Sequence, residues 1–235
     1  MRLPGYHSLA AVRIANPHDR DQWCALLDEL LTRAGGGDLS VYLQVTRGVA
    51  KRDHAFPANV APTVFAMTNP LVPVPREVLD RGVQALTRPD PRWQRCDIKA
   101  ITLLANVLLR QEAVEGGAAE ALLIRDGLAV EGAASNLFVV QAGVLLTPPL
   151  GPGLLPGITR ELVLELARAA GIPAHEQPVP EALLRECDEL LLTSSTKEIL
   201  PVTTLDGAPV DTGRPGPVFH RLHGLYQDYK AAQTA

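Results

Sequence analysis

The chain has 235 residues, 46% of them hydrophobic and 20% charged, with a formal net charge of −4. This composition is typical of a globular protein of one large or two modest domains, and it excludes a disordered or fibrous chain. A mildly acidic chain without a run of like charges gains little from a phosphate backbone, so we expect no nucleic acid partner. Its apolar runs are far shorter than the ~20 residues that cross a bilayer, so we expect no membrane partner either.

The cysteines and the N-terminus predict a cytoplasmic protein. Cys24, Cys96 and Cys187 are odd in number, widely spaced and not arranged as a CxxC pair. Neither a disulfide framework nor a zinc site follows from this pattern. The histidines also lack the spacing of metal ligands, so no metal is predicted. No signal-like apolar segment follows Met1.

The first part of the chain predicts a small α/β domain. Apolar residues at three- and four-residue spacing predict a helix over 19–33, and β-rich residues predict adjacent strands at 41–46 and 63–67. Three prolines stiffen the segment 70–76, which is typical of an interdomain linker. We therefore expect an N-terminal domain over 1–69 and a larger domain over 77–235.

The larger domain alternates predicted strands, helices and hairpins, which indicates an α/β or α+β fold with a mixed sheet. The predicted strands cover 83–87, 120–125, 128–130, 136–140, 144–147 and 189–193. The predicted helices cover 100–113, 159–170 and 217–232. Asp206 and Gly207 form a further hairpin turn.

Lys99 is the best candidate for an amine nucleophile. The chain has four lysines, and Lys51, Lys197 and Lys230 stand in polar segments. Lys99 precedes the apolar run 100–109, and a helix there would place its stem in a low-dielectric setting that favours the neutral amine. A neutral amine forms a Schiff base with an aldehyde. The alternative is a lysine that extends from a strand end into water.

Two segments have the groups that bind a phosphate. Gly157-Ile158-Thr159 precedes a predicted helix, and the hydroxyl-rich turn 193–196 follows a predicted strand. Free backbone N–H groups and the helix dipole favour an anion at such places. Ordinary helix N-caps are the alternative interpretation.

Three charged residues complete the candidates. Glu131 precedes the small-residue turn 132–136, where a flat ring can approach the backbone, and its carboxylate suits a protonated ring nitrogen. Arg52 and His54, two residues apart on a predicted loop, suit a substrate carboxylate. Solvated surface residues are the alternative for all three.

Together these motifs resemble the class IV aminotransferases, the fold-type IV pyridoxal-phosphate enzymes. Within the family the chain is most similar to the D-amino acid (D-alanine) aminotransferases. The resemblance implies a small N-terminal α/β domain and a larger mixed-sheet pseudo-barrel. It runs in the family's order through residues 44–48, 52–57, 93–99, 131–136, 157–160 and 193–199.

The resemblance also implies roles for individual residues. Lys99 would bind pyridoxal 5'-phosphate covalently and move the substrate proton, and Glu131 would pair with the ring nitrogen. The other cofactor contacts would be Leu155, Ile158, Thr159, Ser194, Ser195 and Arg2. Arg52 and His54, with Tyr42 nearby, would bind the substrate carboxylate, a pair that favours D-amino acid over branched-chain aminotransferases.

The implied activity is transamination between a D-amino acid (D-alanine, D-glutamate) and a 2-oxo acid (2-oxoglutarate, pyruvate) by a homodimer. Aminodeoxychorismate lyase and branched-chain aminotransferase are alternatives on the same scaffold. Relatives begin with a longer N-terminal segment, so we expect the first domain to be incomplete. An inactive cofactor-binding remnant is therefore the alternative of another class. Ala133 and Ala134 stand where relatives often carry serines.

Overall fold

A computed structural model describes residues 5–234 of the chain, with the side chains of residues 7–233. The chain divides into two compact units, one that ends at Pro73 and one that begins at Val74. This division falls inside the proline-rich segment 70–76. Arg2, a predicted phosphate ligand, lies outside the described residues.

The first unit contains two helices and one strand pair. They are α1 (Gly5–Ala11), α2 (Arg20–Arg33) and the antiparallel strands β1 (Leu39–Thr46) and β2 (Thr63–Pro70). α2 begins with a capping box, because the Asp19 carboxylate accepts the Gln22 N–H at 2.9 Å and the Gln22 side chain accepts the Asp19 N–H at 3.0 Å. The predicted helix and the predicted strand pair are confirmed.

The second unit confirms the predicted mixed α/β fold. None of the helices that the structure describes is long and apolar enough to cross a membrane. In chain order the elements are α3 (Arg76–Arg81), β3 (Val83–Pro89), α4 (Leu104–Glu115), β4 (Glu120–Arg125), β5 (Leu128–Gly132), β6 (Asn136–Gln141), β7 (Val144–Thr147), α5 (Ile158–Ala169), β8 (Ala174–Glu176), β9 (Val179–Pro180), α6 (Leu183–Glu186), β10 (Glu189–Ser194), β11 (Glu198–Leu205), β12 (Ala208–Pro209) and α7 (Pro217–Thr234).

The strands of this unit form one mixed sheet that curls into a half-barrel. Within the described residues their order is β8-β7-β6-β10-β11-β3-β4-β5-β9, and β12 adds to β11. β3 runs parallel to both of its neighbours, and β7 runs parallel to β8, whereas the other pairs are antiparallel. The tight hairpin turns at 126–127, 142–143 and 206–207 have positive φ at both central residues, as type I′ turns require.

The core lies on both faces of the sheet, since successive side chains of a strand point to opposite faces. On β6, Leu137 and Val139 belong to one buried cluster, whereas Phe138 and Val140 belong to the other. The second cluster also contains residues of α5 and α7, including Val163 and Phe219. The two helices therefore cover one face of the sheet.

The predicted start of the helix after Lys99 is wrong. α4 begins at Leu104, not at residue 100, and Leu103 provides no side-chain cap. The apolar residues at the start of this segment point outward, with Ile101, Leu103 and Leu104 exposed, and Lys99 is exposed as well. The predicted low-dielectric setting for the Lys99 stem is therefore also wrong, because an apolar sequence does not desolvate a neighbour when its own side chains face outward.

Candidate active site

A cavity of about 680 Å³ lies in the second unit, a size typical of small-molecule sites. The segment between β3 and α4, the turn after β5, the start of α5 and the end of β10 form its wall. The structure thereby brings together most of the predicted site residues: Lys99, Glu131, Leu155, Ile158, Thr159, Ser194 and Ser195. Their individual roles stay predictions.

The start of α5 offers backbone donors at the cavity wall. Gly157 precedes the helix and provides no side-chain cap, and Gly157, Ile158 and Thr159 all line the cavity. Backbone N–H groups at the start of a twelve-residue helix suit an anion. A Cβ at Gly157 would lie 2.0 Å from Asn136 Oδ1, so the close approach of these two segments requires glycine.

The end of β10 contributes hydroxyl groups. Ser194 and Ser195 line the cavity, and Ser194 Oγ accepts the Lys197 N–H at 3.3 Å. Thr193 also lines the cavity, and its buried Oγ1 has no hydrogen-bond partner among the described residues.

Glu131 is a buried carboxylate in the same wall, with 5% of the residue exposed. One oxygen, Oε1, accepts from Arg92 Nη1, and Oε2 accepts from Asn136 Nδ2 and from the Leu155 N–H, both at 3.1 Å. Burial raises the pKa of Glu131 to about 7, although the charge of Arg92 and the hydrogen bonds from Arg92 and Leu155 lower it. A further cation beside Glu131 would favour its charged form.

Arg92 and Asp90 are the site residues that the sequence reasoning missed. Arg92 lines the cavity. Its guanidinium lies between the carboxylates of Asp90 and Glu131 and forms an ion pair with each. The sequence contains one indication of such a residue, because a carboxylate that is buried, as expected for Glu131 in its role, requires a cationic or hydrogen-bonding partner. The chain contains eighteen arginines, however, so this rule alone does not select Arg92.

Local hydrogen bonds fix the segment that carries Lys99. The Cys96 N–H donates to Pro152 O at 2.7 Å, and Arg95 forms a two-point ion pair with Asp97 at 2.9 and 3.0 Å. Ile98, next to Lys99, is buried. The lysine therefore has an exposed side chain on an anchored stretch of backbone.

The predicted substrate residues belong to the first unit. Arg52 and His54 are exposed on the loop between β1 and β2, where Asp53 Oδ1 accepts the His54 N–H at 2.6 Å. Tyr42 lies on β1, and its hydroxyl donates to Gln44 Oε1 at 2.6 Å. Their contacts with a substrate stay a prediction.

Arg47 holds the beginning of this loop. Its guanidinium stacks over the Phe56 ring at 3.6 Å and donates to Arg13 O at 2.8 Å. Gly48 follows with a φ of +117°, and a Cβ there would lie 2.2 Å from Ala61 O. Both features restrict the loop that carries Arg52 and His54.

Comparison with known proteins identifies the family. The family described as "Amino-transferase class IV" matches residues 6–205. The D-alanine aminotransferase of Bacillus licheniformis is 40% identical over 230 residues, which cover 98% of this chain and 81% of that protein. The D-alanine aminotransferase of Listeria innocua is 38% identical over 94% of this chain and 77% of its own length.

Solved structures give the same result at the level of the fold. A branched-chain amino acid aminotransferase of Escherichia coli superposes with a TM-score of 0.88 at 26% identity, over 95% of this chain and 76% of that one. A putative 4-amino-4-deoxychorismate lyase of Legionella pneumophila has a TM-score of 0.84 at 20% identity, over 94% and 81%, a likeness of fold alone. The fold is thus that of an aminotransferase-type enzyme. The chain belongs to the class IV aminotransferase family.

Proposed function

We propose that this protein is a pyridoxal-phosphate-dependent D-amino acid aminotransferase. It transfers an amino group between a D-amino acid, such as D-alanine or D-glutamate, and a 2-oxo acid, such as 2-oxoglutarate or pyruvate. The observation that carries the proposal is the convergence of Lys99 and the buried Glu131 on one cavity. The 40% identity to a D-alanine aminotransferase supports the choice of substrate class.

The chemistry of the cavity wall fits this cofactor. An amine at Lys99 suits its aldehyde, and a carboxylate at Glu131 suits its protonated ring nitrogen. The N–H groups at the start of α5 and the hydroxyls of Ser194 and Ser195 suit its phosphate.

When bound, pyridoxal phosphate supplies an aldehyde for amine capture and a ring that delocalises the electrons of a deprotonated substrate carbon. Lys99 Nζ would hold the cofactor and would move a proton to and from the substrate Cα. Glu131 would stabilise the positive charge at the ring nitrogen. Leu155 would contact the ring, and Ile158, Thr159, Ser194 and Ser195 would hold the phosphate. Arg52 and His54, with Tyr42, would bind the substrate carboxylate.

The test is turnover of D-alanine and 2-oxoglutarate, followed as pyruvate, by the full chain loaded with pyridoxal phosphate. Lys99→Ala should lower kcat by roughly 10²–10⁴-fold or more, since it removes the group that moves the proton. Lys197→Ala is the matched control and should leave turnover unchanged, because Lys197 does not line this cavity.

Borohydride reduction and peptide mapping provide a second readout that does not depend on turnover. We expect a pyridoxyl tag on Lys99 alone. A tag on another lysine would contradict the proposed role of Lys99. Turnover of L-leucine in place of D-alanine would favour the branched-chain aminotransferase. Formation of pyruvate from aminodeoxychorismate without a 2-oxo acid would favour the lyase. A pyridoxyl tag on the protein without any turnover would favour the inactive remnant.

A further inference from the structure

Arg92 lies buried between two carboxylates, with 5% of its side chain exposed. Its Nε and Nη2 donate to the two oxygens of Asp90, both at 2.9 Å. Its Nη1 donates to Glu131 Oε1 at 2.5 Å, and Nη2 also reaches Gly153 O at 3.2 Å. All three nitrogens of the guanidinium are therefore engaged, and its plane and position are fixed.

Asp90 holds Arg92 in this place. Its side chain is completely buried, and it accepts a further hydrogen bond from Arg125 Nη2 at 2.8 Å. Burial raises the pKa of Asp90, but the hydrogen bonds and charges of Arg92 and Arg125 outweigh it and hold the pKa below its ordinary value. Asp90 is thus a charged anchor for Arg92.

Arg92 in turn favours the ionised form of Glu131. The Asn136 amide and the Leu155 N–H are neutral donors to Glu131. Arg92 is the largest influence that lowers the pKa of Glu131, whereas Asp90, a second anion, raises it. Arg125 pairs with Asp90 rather than with Glu131, and Lys99 lies in the same cavity wall. Loss of Arg92 would therefore remove the largest interaction that opposes the cost of burying the Glu131 carboxylate.

We propose that Arg92 is a positioning residue of the transamination site, which orients Glu131 and favours its ionised form toward the cofactor's ring nitrogen, with Asp90 as the anchor of Arg92. The inference rests on the proposed function and adds to it a residue that acts through Glu131. A buried arginine with a purely structural role is the competing explanation, since buried ion pairs also fix local packing.

The test compares Arg92→Met and Arg92→Lys in the wild-type and Glu131→Gln backgrounds. The affinity for pyridoxal phosphate is measured from its visible absorbance, and kcat/KM for D-alanine is measured against pH. Arg92→Met should weaken cofactor binding and lower kcat/KM by roughly 10- to 100-fold, the effect of one lost charged hydrogen bond. Since Glu131 then loses the charge that lowers its pKa, the acidic limb of the pH profile should move to higher pH.

The Glu131→Gln background separates the two explanations. If Arg92 acts through Glu131, Arg92→Met should cost little more once Glu131 is already replaced, whereas a structural role predicts the same loss in both backgrounds. Arg92→Lys retains the charge but not the fork and should give an intermediate loss; it also serves if Arg92→Met fails to fold. Arg185→Met is the control, because it breaks an Arg–Asp pair of this unit outside the cavity wall.

Equal losses in both backgrounds, or an unmoved acidic limb, would overturn the inference. The role of Arg92 would then be wrong while the proposed function stands, provided the wild type binds pyridoxal phosphate at Lys99 and turns over D-alanine. A wild type that binds the cofactor without turnover would contradict the proposed function only, since the cofactor affinities still measure the coupling. A wild type that binds no cofactor would overturn both.

Discussion

The raised pKa of Glu131 links the site to the stability of the protein. Between the ordinary value of 4.5 and about 7, the folded cofactor-free protein keeps a proton on Glu131 that the unfolded chain has lost. The folded state then binds more protons than the unfolded state, so the contribution of Glu131 to stability falls as the pH rises through this window. Glu131→Gln should remove that loss.

The measurement is the melting temperature of the cofactor-free wild type and of Glu131→Gln at pH 5 and at pH 7.5. We expect the wild type to lose more stability than the variant between these values. Asp90, Glu176 and Asp206 have lowered pKa values, so their contributions are lost at acidic pH and are common to both proteins. An identical pH dependence of the two proteins would contradict this prediction.

Among individual residues, the sequence was informative where a motif carried the chemistry. Lys99 and Glu131 stand in motifs of a known family, and the structure places both in one cavity wall. Asp90 and Arg92 belong to no motif that we recognised. Glu131, the partner of Arg92, is 39 residues away from it along the chain. The pairing depends on how β3, β4 and β5 lie side by side, which local residue patterns do not contain.

Element ends depend on single contacts, and the start of α7 is an example. Glu189, buried on β10, accepts the Val218 N–H at 2.8 Å and the Phe219 N–H at 2.7 Å. A carboxylate at the N-terminal end of a helix accepts hydrogen bonds from the free N–H groups and interacts favourably with the positive end of the helix dipole. Pro217 suits the first helical position, where no N–H is required.

Glu189→Ala should therefore lower the free energy of unfolding by about 1–3 kcal/mol, because it leaves buried N–H groups without an acceptor. Urea denaturation followed by circular dichroism measures the change. Glu186→Ala is the control, since Glu186 is exposed, and we expect a change within about 0.5 kcal/mol. Equal stabilities of the two variants would show that Glu189 does not cap α7.

Regular elements were predictable where periodicity and turn residues agree. The strand pair β1–β2, the hairpins at 126–127 and 142–143 and the amphipathic helix α5 were predicted on that basis and are present. α4 begins four residues later than its apolar run predicts, and most of that run is exposed rather than buried. The short elements α1, α3, β8 and β9 have too few residues to show a period.

For the whole molecule, the sequence indicated a mixed sheet but not its strand order. β3 runs between β11 and β4 and parallel to both, although β11 lies more than a hundred residues later in the chain. This placement joins the segment 90–99 to the wall of the cavity near Glu131 and Ser194. Long-range pairings of this kind are decided by packing, and no local pattern specifies them.

The exposed apolar face of α4 leads to a prediction about assembly. Leu104, Val107, Leu108 and Val114 are exposed at helical spacing, and Leu104 is 74% exposed. Exposed apolar side chains on one helix face are typical of an interaction surface. A second copy of this chain is the expected partner, in line with the homodimer that the family resemblance implies. The preceding residue, Leu103, lines the cavity.

Light scattering after size exclusion should therefore give the mass of a dimer for the wild type. The double substitution Leu104→Glu and Val107→Glu should shift the protein to the monomer, because two charges would then be buried without partners. Val72→Glu, at an exposed position of the proline-rich segment, is the control and should remain dimeric. A monomeric wild type, or a double variant that stays dimeric, would contradict this assignment.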